Sequence, residues 1–263
     1  MSRRTPLIMA APNGARHGKA EHSALPVTEA ELVETAVACQ AAGAGAIHIH
    51  VRDEAGRHVL DVDRYNSAVP AIRRATGDAL LVQVTTEAVG RYTPEEVAAV
   101  FAGVDAPAIS VAMRELVPGA GHEKLAAETL AAARRRGMAI QHLLYTPDEL
   151  RRFVTLVERG IVPDEDLDVL FVLGRYGGDD TDPRGLAEYL SVLGASSIAG
   201  KAEWTVCAFG PPETRALAAA MAMGGKARVG FENNFRQPDG STAPDNAARV
   251  AVISGIARAM GLA

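Results

Sequence analysis

The sequence predicts an α/β protein that folds as one (β/α)8 TIM barrel, and three observations indicate this fold. Short apolar runs alternate with amphipathic segments about every thirty residues along the whole chain. Eight runs and eight amphipathic segments can be counted, which is the number that closes such a barrel. Several of the amphipathic segments also begin with sequences typical of a helix N-terminus.

The eight apolar runs are predicted as strands because their nearly continuous hydrophobicity is typical of a parallel sheet covered by helices. The strand candidates are 6–12, 46–52, 79–86, 107–113, 138–145, 167–174, 202–209 and 227–234. The helix candidates are 28–42, 61–75, 93–103, 123–136, 146–159, 184–193, 211–223 and 244–260. Thr28, Thr93 and Thr146 each precede a helix candidate and have a glutamate three residues later, which predicts three capping boxes.

A doubly wound open sheet is the alternative architecture. It is less favoured because no Gly-x-Gly-x-x-Gly sequence follows the first strand candidate, and the glycines at 174–178 do not have that spacing. No low-complexity linker divides the chain either. We therefore predict a single barrel domain over residues 1–263.

Composition and charge exclude several function classes. A net charge of −5 without a basic block argues against a nucleic-acid surface, and Arg134 to Arg136 are better explained as the exposed end of a helix. No run approaches the roughly 18 apolar residues of a membrane span, and the opening residues lack the apolar core of a signal peptide. We expect a cytoplasmic protein, with Cys39 and Cys207 as unpaired core residues.

The second strand candidate carries the strongest chemical signal. His48 and His50 share one face of the strand, because side chains alternate between the two faces. Reactive groups of such barrels lie at the C-terminal ends of the strands, where this pair lies. Two buried imidazoles are costly without partners, and a metal ion satisfies both. The alternative is a pair of core histidines bonded to neighbouring groups.

The eighth strand candidate supplies a third ligand. By alternation Arg228 and Glu232 share a face, and the eighth strand lies close to the second in a closed barrel. Two histidines and one carboxylate leave positions open for substrate, which is typical of catalytic Zn²⁺. Arg228 would present its guanidinium to a carboxylate, or alternatively form an ion pair inside the barrel.

Other polar residues at the strand ends give weaker signals. Thr85, Glu87 and Ser110 follow or end the third and fourth strand candidates. Asn13 and Gly14 follow the first, where they could contact a ligand or simply form a turn. His58 lies in a segment that is predicted as a polar turn.

Several stretches resemble the β-keto acid cleavage enzymes, typified by 3-keto-5-aminohexanoate cleavage enzyme. They are AAPNGAR (10–16), LPVTEAEL (25–32), AGAGAIHIHVRDEAGRH (42–58), FVLGRYGG (171–178), MGGKARVGFENN (223–234) and DNAARV (245–250). The resemblance implies a zinc-containing barrel, usually a homo-oligomer, that converts a β-keto acid and acetyl-CoA into acetoacetate and a new acyl-CoA. It implies His48, His50 and Glu232 as zinc ligands, and Arg228, Thr85 and Ser110 as catalytic residues.

Three positions depart from the family pattern. Asn233 and Leu143 stand where the family commonly has an Asp and a Glu that move protons. Arg16 stands where relatives that take amino-bearing substrates have a Glu, which favours a neutral or acidic substrate tail. His142, Glu87 or a metal-bound hydroxide could replace the missing base, although alternation places His142 on the face opposite to Leu143.

The substrate-binding candidates are Asn13, Gly14, Arg16, Glu87 and Asn233. Two other functions remain open: a different metal-dependent lyase or hydrolase on the same barrel, and a catalytically silent metal-binding relative. Amidohydrolases also carry His-x-His on a barrel strand, but usually on the first strand and with an Asp on the eighth, so they fit less well.

Overall fold

The computed structural model describes residues 5–178 and 181–262, and within them eight parallel strands close into a barrel. The strands are β1 (Ile8–Ala10), β2 (Ala46–Ile49), β3 (Leu81–Thr85), β4 (Ala108–Ala112), β5 (Ala139–Leu144), β6 (Asp168–Leu173), β7 (Glu203–Ala208) and β8 (Lys226–Val229). They follow one another around the barrel in chain order, and β8 pairs with β1. The predicted fold is confirmed, and the open sheet is excluded. Residues 1–4, which begin the segment that was considered as a signal peptide, lie outside the described residues.

Helices follow the strands and cover the outside of the barrel. The described residues form α1 (Glu29–Ala41), α2 (Val62–Thr76), α3 (Pro94–Gly103), α4 (Met113–Leu116), α5 (Glu123–Arg135), α6 (Pro147–Glu158), α7 (Leu186–Gly194), α8 (Glu213–Ala222) and α9 (Asn246–Ala259). Each helix candidate corresponds to one of these, and the short α4 was not predicted. No helix in the described ranges combines the length and apolarity that a membrane crossing requires.

Two of the three predicted capping boxes are complete. The hydroxyls of Thr28 and Thr93 accept hydrogen bonds from the backbone N–H groups of the glutamates three residues later. The carboxylates of these glutamates accept hydrogen bonds from the backbone N–H groups of the two threonines. The box at Thr146 is incomplete. Its hydroxyl accepts from Glu149 N, but the Glu149 carboxylate accepts from Tyr145 N, one residue before the cap.

The described apolar core has two main clusters, and a third, small one is formed by Leu25, Phe231 and Ala243. The larger part lies between the strands and the helices and holds most buried aliphatic residues, together with Cys39. A smaller cluster fills part of the barrel interior, and includes Leu143, Leu170 and Cys207. Both cysteines are buried and unpaired, as predicted. The rest of the interior is polar, with Gln83 and Gln141 almost fully buried, and this polar layer lies directly below the candidate site.

Candidate functional site

Both predicted metal-binding histidines lie at the C-terminal end of β2, and neither is exposed by more than 1%. His48 lies within β2, whereas His50 follows the last strand residue, Ile49. The backbone of His50 is held by Asn13, whose side-chain nitrogen donates to His50 O at 2.8 Å and whose oxygen accepts from His50 N at 3.2 Å. Asn13 also donates to Pro26 O. Its amide therefore positions a candidate ligand and does not line the cavity.

Glu232 completes a cluster of three possible ligands with these histidines. The Nε2 atoms of His48 and His50 lie 3.1 Å apart. Glu232 Oε2 lies 3.7 Å from His48 Nε2, and Glu232 Oε1 lies 3.9 Å from His50 Nε2. One ligand atom from each residue can be chosen so that all three lie within 4.8 Å of one another. The predicted set is thus brought together around one point.

Hydrogen bonds behind the histidines determine which ring nitrogens carry protons. His48 Nδ1 lies 2.7 Å from Gln83 Oε1, which can only accept, so Nδ1 carries the hydrogen. His58 Nε2 donates to Glu87 O at 2.9 Å, which leaves His58 Nδ1 as an acceptor for His50 Nδ1 at 3.4 Å. Both Nε2 atoms therefore carry lone pairs, and they point at each other.

This arrangement fits a bound cation. Burial, followed for His48 by the charge of Arg228 and for His50 by His58, holds the pKa of each imidazole well below its usual value, so no proton separates the two lone pairs. Glu232 Oε2 is also buried without a hydrogen-bond partner among the described residues. Two lone pairs at 3.1 Å and a carboxylate repel one another unless a positive ion lies between them. A divalent metal satisfies all three groups.

The segment that carries Glu232 is a turn, not the strand that we predicted. β8 ends at Val229, and Gly230 has a φ of +150°, which turns the chain away from the sheet. Glu232 N donates to Ala11 O at 3.0 Å, and Phe231 N donates to the side chain of Asn246 at 2.9 Å. Alternation along the predicted strand thus selected the glutamate that lies beside the two histidines, although other backbone contacts position it.

A buried ion pair supports this turn from outside the site. Arg249 donates to Glu213 Oε2 at 2.6 Å, and both side chains are fully buried. Glu213 also accepts from Gly230 N at 3.3 Å and from Asn234 Nδ2 at 3.2 Å. Removing one partner of such a pair typically costs about 3–5 kcal/mol, because the other charge stays buried. The pair links α8 and α9 to the position of Glu232.

Gly230→Ala is expected to displace this turn. A Cβ atom at Gly230 would lie 2.3 Å from Ala11 O, which is backbone and cannot move aside, and its φ of +150° disfavours any side chain. Gly224→Ala is the matched control, because its φ is +87° and no atom lies within 4 Å of the added Cβ. We expect Gly230→Ala to lower the free energy of unfolding, measured in urea, by at least about 2 kcal/mol more than the control substitution does. Equal losses would contradict the tight contact.

Two of the candidate ligands, His48 and Glu232, lie in the wall of a cavity of about 710 Å³ at the barrel mouth. The side chains that line it include Arg16, Thr85, Glu87, Arg114, Tyr145, Tyr176 and Arg228, with His48 and Glu232. A second cavity of about 620 Å³ lies between α1 and α2, and none of its lining residues belongs to the metal cluster. The larger cavity is therefore the candidate active site.

Arg228 presents part of its guanidinium to this cavity. Its Nη2 atom lies 3.2 Å from Glu232 Oε1 and 3.5 Å from Cys207 Sγ. Nε and Nη1 have no hydrogen-bond partner among the described residues, although the side chain is only 2% exposed. Arg228 thus forms the ion pair that was the alternative interpretation, and it also has donors without partners among the described residues. A buried cationic fork with open donors can bind a carboxylate.

Thr85 and Glu87 line the β3–β4 side of the cavity, whereas Ser110, on the neighbouring strand, is not among its lining residues. Thr85 and Ser110 are paired in register, and Ser110 Oγ is buried without a partner in the described part of the chain. Thr85 Oγ1 accepts from Glu87 N at 3.0 Å. Burial, with repulsion from Glu232 and Glu115, raises the pKa of Glu87 to about 8. At neutral pH this carboxyl group is therefore mostly protonated, and once ionised it can take up a proton from a substrate.

The remaining candidates take different positions. Gly14 has a φ of +58°, and a Cβ there would lie 2.5 Å from Glu232 Cγ, so this glycine allows the ligand's close approach. Asn233 is 5% exposed, and both polar atoms of its amide lack partners among the described residues. It follows Glu232 but is not among the lining residues of the cavity. His142 faces Phe153 on the helix side, and its hydrogen-bond partner in the described part of the chain is Asp168 O, which does not line the cavity.

Sequence reasoning missed several residues of the site. Tyr176 and Tyr145 line the cavity, and Arg16 and Arg114 lie over their rings at 5.2 and 3.6 Å. Arg114 reaches the cavity because the unpredicted α4 follows β4 directly. His58 is buried behind His50 and not in an exposed turn. Period-two alternation could have found Gln83, two residues before Thr85, but no local signal marks Arg114.

Comparison with solved structures shows the same fold in distant proteins. A ternary complex of ObcA with a C4-CoA adduct and oxalate superposes with a TM-score of 0.67 at 14% identity, covering 90% of this chain and 64% of that one. This chain therefore spans less than two thirds of that protein. A type I 3-dehydroquinate dehydratase from Clostridium difficile superposes with a TM-score of 0.63 at 9% identity, and the superposition covers 98% of this chain and 93% of that one. At such identities only the barrel is shown to be shared.

Comparison with known sequences is more specific. A protein of Acetoanaerobium sticklandii named 3-keto-5-aminohexanoate cleavage enzyme is 28% identical over 260 residues, covering 97% of this chain and 92% of that protein. A protein of Cupriavidus necator named 3-oxoadipate:acetyl-CoA acetyltransferase is 25% identical over 257 residues, which cover 97% of this chain and 89% of that protein. The family model described as beta-keto acid cleavage enzyme matches residues 6–263. Because that match covers nearly the whole chain, the protein belongs to the β-keto acid cleavage enzyme family.

Proposed function

We propose that this protein is a zinc-dependent acyltransferase that exchanges acyl groups between a β-keto acid and acetyl-CoA. The acyl group next to the CH₂–COO⁻ unit of the keto acid passes to coenzyme A, and the acetyl group takes its place. The products are acetoacetate and a new acyl-CoA. The observation that carries this proposal is the convergence of two unprotonated imidazole nitrogens and a carboxylate beside the open donors of Arg228.

The names of two relatives support a keto acid and acetyl-CoA as the substrates. One relative is named for acetyl transfer between 3-oxoadipate and acetyl-CoA, and another for cleavage of a keto acid. A protein of the same fold holds a C4-CoA adduct. Zinc is proposed because two histidines and one glutamate are a ligand set of catalytic zinc.

The residues of the cavity have distinct roles in this proposal. His48, His50 and Glu232 hold the metal, which supplies a Lewis acid for the keto oxygen. Arg228 binds the substrate carboxylate through its unpaired nitrogens, which fixes the keto acid in the cavity. Thr85, which lines the cavity and accepts a hydrogen bond from Glu87 N, orients the substrate and Glu87, and Ser110 supports Thr85 from the neighbouring strand.

Glu87 is the group that we propose to move the proton from the carbon between the keto and carboxylate groups. Asn233 and Leu143 cannot do so, and His142 faces the helices. The carboxylate of Glu87 lines the cavity and lies 3.9 Å from His50 Nδ1. Glu232, the other carboxylate that the described residues place in the cavity wall, belongs to the metal cluster.

Two arginines at the mouth favour a substrate with a second negative charge. Arg16 and Arg114 line the cavity, are exposed, and lie over tyrosine rings that limit their movement. Arg114 also lies 3.6 Å from Glu149, whereas no ion pair of Arg16 is found among the described residues. We therefore propose a β-keto acid with an anionic tail as the preferred substrate.

The test is to incubate the zinc-loaded protein with acetyl-CoA and β-keto acids that carry apolar, amino-bearing or carboxylate tails. Mass spectrometry should detect new acyl-CoA products, formed fastest from the keto acid with a carboxylate tail. Arg16→Gln is expected to reduce that preference about fivefold, the size of an exposed ion pair of about 1 kcal/mol. Lys19→Gln changes an exposed cation of the same loop that does not line this cavity, and should leave the preference unchanged.

Two outcomes would contradict the proposal. Consumption of the keto acid without any acyl-CoA would favour a metal-dependent lyase or hydrolase. Full metal content without turnover of any keto acid would favour a catalytically silent relative. The single domain, the homo-oligomeric state and the cytoplasmic location stay predictions.

A further inference from the structure

A row of hydrogen-bonded side chains runs through the polar barrel interior below the metal cluster. It begins at His48, whose Nδ1 donates to Gln83 Oε1 at 2.7 Å. Gln83 Nε2 donates to Gln141 Oε1 at 3.3 Å. Gln141 Nε2 then donates to Asp168 Oδ1 at 3.1 Å and to Thr205 Oγ1 at 3.3 Å. Side chains of β2, β3, β5, β6 and β7 are thus joined across the barrel.

Asp168 gives this row its direction. An ionised carboxylate can only accept hydrogen bonds, so the Gln141 amide must turn its nitrogen toward Asp168 and its oxygen toward Gln83. Gln83 must then turn its nitrogen toward Gln141 and its oxygen toward His48. The hydroxyl of Thr205 can donate as well as accept, so it would tolerate either orientation of Gln141.

Asp168 is itself firmly held at the start of β6, at the end of the barrel opposite the metal cluster. Thr5 donates to its Oδ2 atom, and Lys226 binds Thr5 O and Glu203 nearby. Burial raises the pKa of Asp168 to about 6, against the bonds from Thr5 and Gln141 and the charge of Lys226. The carboxyl group is therefore mostly ionised at neutral pH. In this form it only accepts hydrogen bonds, as the orientation of Gln141 requires.

We propose that Asp168 is a positioning residue for the metal site, which acts through Gln141 and Gln83 to keep the proton of His48 on Nδ1. Nε2 of His48 is thereby left as a lone pair that faces His50 and Glu232. Metal-binding histidines usually obtain such control from a group that contacts the ring directly. In this protein the carboxylate acts through two amides. The proposal depends on the metal site but not on the identity of the substrate.

The test compares Asp168→Leu, Asp168→Asn and Gln83→Leu in the full-length protein. The first readout is the ¹⁵N spectrum of the histidine rings after metal removal with a chelator, which distinguishes the Nδ1–H from the Nε2–H form. We expect His48 to be Nδ1–H in the unsubstituted protein and a mixture of both forms in Asp168→Leu and Gln83→Leu. Asp168→Asn should retain the Nδ1–H form, because its amide can present oxygen to Gln141 and nitrogen to Thr5.

The second readout is the dissociation constant for Zn²⁺, measured by competition with a chromophoric chelator. Removing a group that hydrogen-bonds a metal ligand typically weakens metal binding roughly 10- to 100-fold, and we expect that range for Gln83→Leu and about tenfold for Asp168→Leu. His142→Phe is the control, because His142 is as deeply buried on β5 but faces the helices, and it bonds the backbone oxygen of Asp168 and not the carboxylate. It should change neither readout.

The proposal would be overturned if Asp168→Leu left the His48 ring in the Nδ1–H form with unchanged zinc affinity. It would also be overturned if His142→Phe shifted the ring form as much as Asp168→Leu, since general loosening of the barrel would then explain both. Failure of the proposed acyl transfer would not affect either readout, because neither uses substrate.

Discussion

His48→Ala and His50→Ala are each expected to abolish stoichiometric metal binding while the barrel stays folded. Each removes one of the two nitrogens that face each other at 3.1 Å, and leaves too few protein ligands for a stable site. Activity should fall at least about 1,000-fold, because a metal that polarises a carbonyl contributes several kcal/mol to the stability of the transition state. The measurements are metal content per chain by mass spectrometry, circular dichroism and acyl-CoA formation.

His142→Ala is the matched control for this experiment. It removes the same side chain from a site that is 1% exposed, the same value as for His48, so the loss of packing is comparable. His142 contacts Phe153 and Asp168 O and does not line the cavity, so its variant should keep the metal. Full metal content in both His48→Ala and His50→Ala would refute the site. Loss of metal in all three variants would point to unfolding instead.

The fold could be predicted from the sequence because its signals are local. Apolar runs and helix-capping residues depend on neighbours within a few positions, so the pattern of residues alone was enough to place eight strands and eight covering helices. The capping box at Thr146 was predicted only in part. The Glu149 carboxylate accepts a hydrogen bond from Tyr145 N and not from Thr146 N, and which of the two it reaches depends on the path of the chain before the helix. The short α4 carries no periodic signal because it is only four residues long.

The candidate site was predicted in part. The two histidines were found because they lie two residues apart at a strand end, where alternation fixes their common direction. Glu232 was chosen by the same rule, although it lies in a turn that Gly230, Ala11 and Asn246 define through contacts distant in sequence. The row from His48 to Asp168 could not be predicted, because it depends on how strands are paired around the barrel, which no local pattern encodes.

Arg228→Met is expected to reduce kcat/KM for the keto acid by roughly 30- to 1,000-fold, which corresponds to about 2–4 kcal/mol for charge-assisted hydrogen bonds in a buried site. Nε and Nη1 of Arg228 are buried without partners among the described residues, so a substrate carboxylate is the acceptor that they lack. Arg228→Lys should recover only part of the loss, since an ammonium keeps the charge but not the planar fork. Arg114→Met is the control, because this exposed arginine lines the same cavity and should cost about tenfold at most.

Metal content and the KM of each substrate distinguish two explanations for a lower kcat/KM in Arg228→Met. Arg228 also lies 3.2 Å from Glu232, so its removal could weaken activity by disturbing a metal ligand. If Arg228 binds the substrate carboxylate, Arg228→Met should keep its metal and raise the KM of the keto acid while the KM of acetyl-CoA stays unchanged. A loss of metal, or an equal rise of both KM values, would show instead that this arginine acts mainly on Glu232. In that case the ion pair inside the barrel, and not carboxylate recognition, would explain why a buried arginine lies beside the metal cluster.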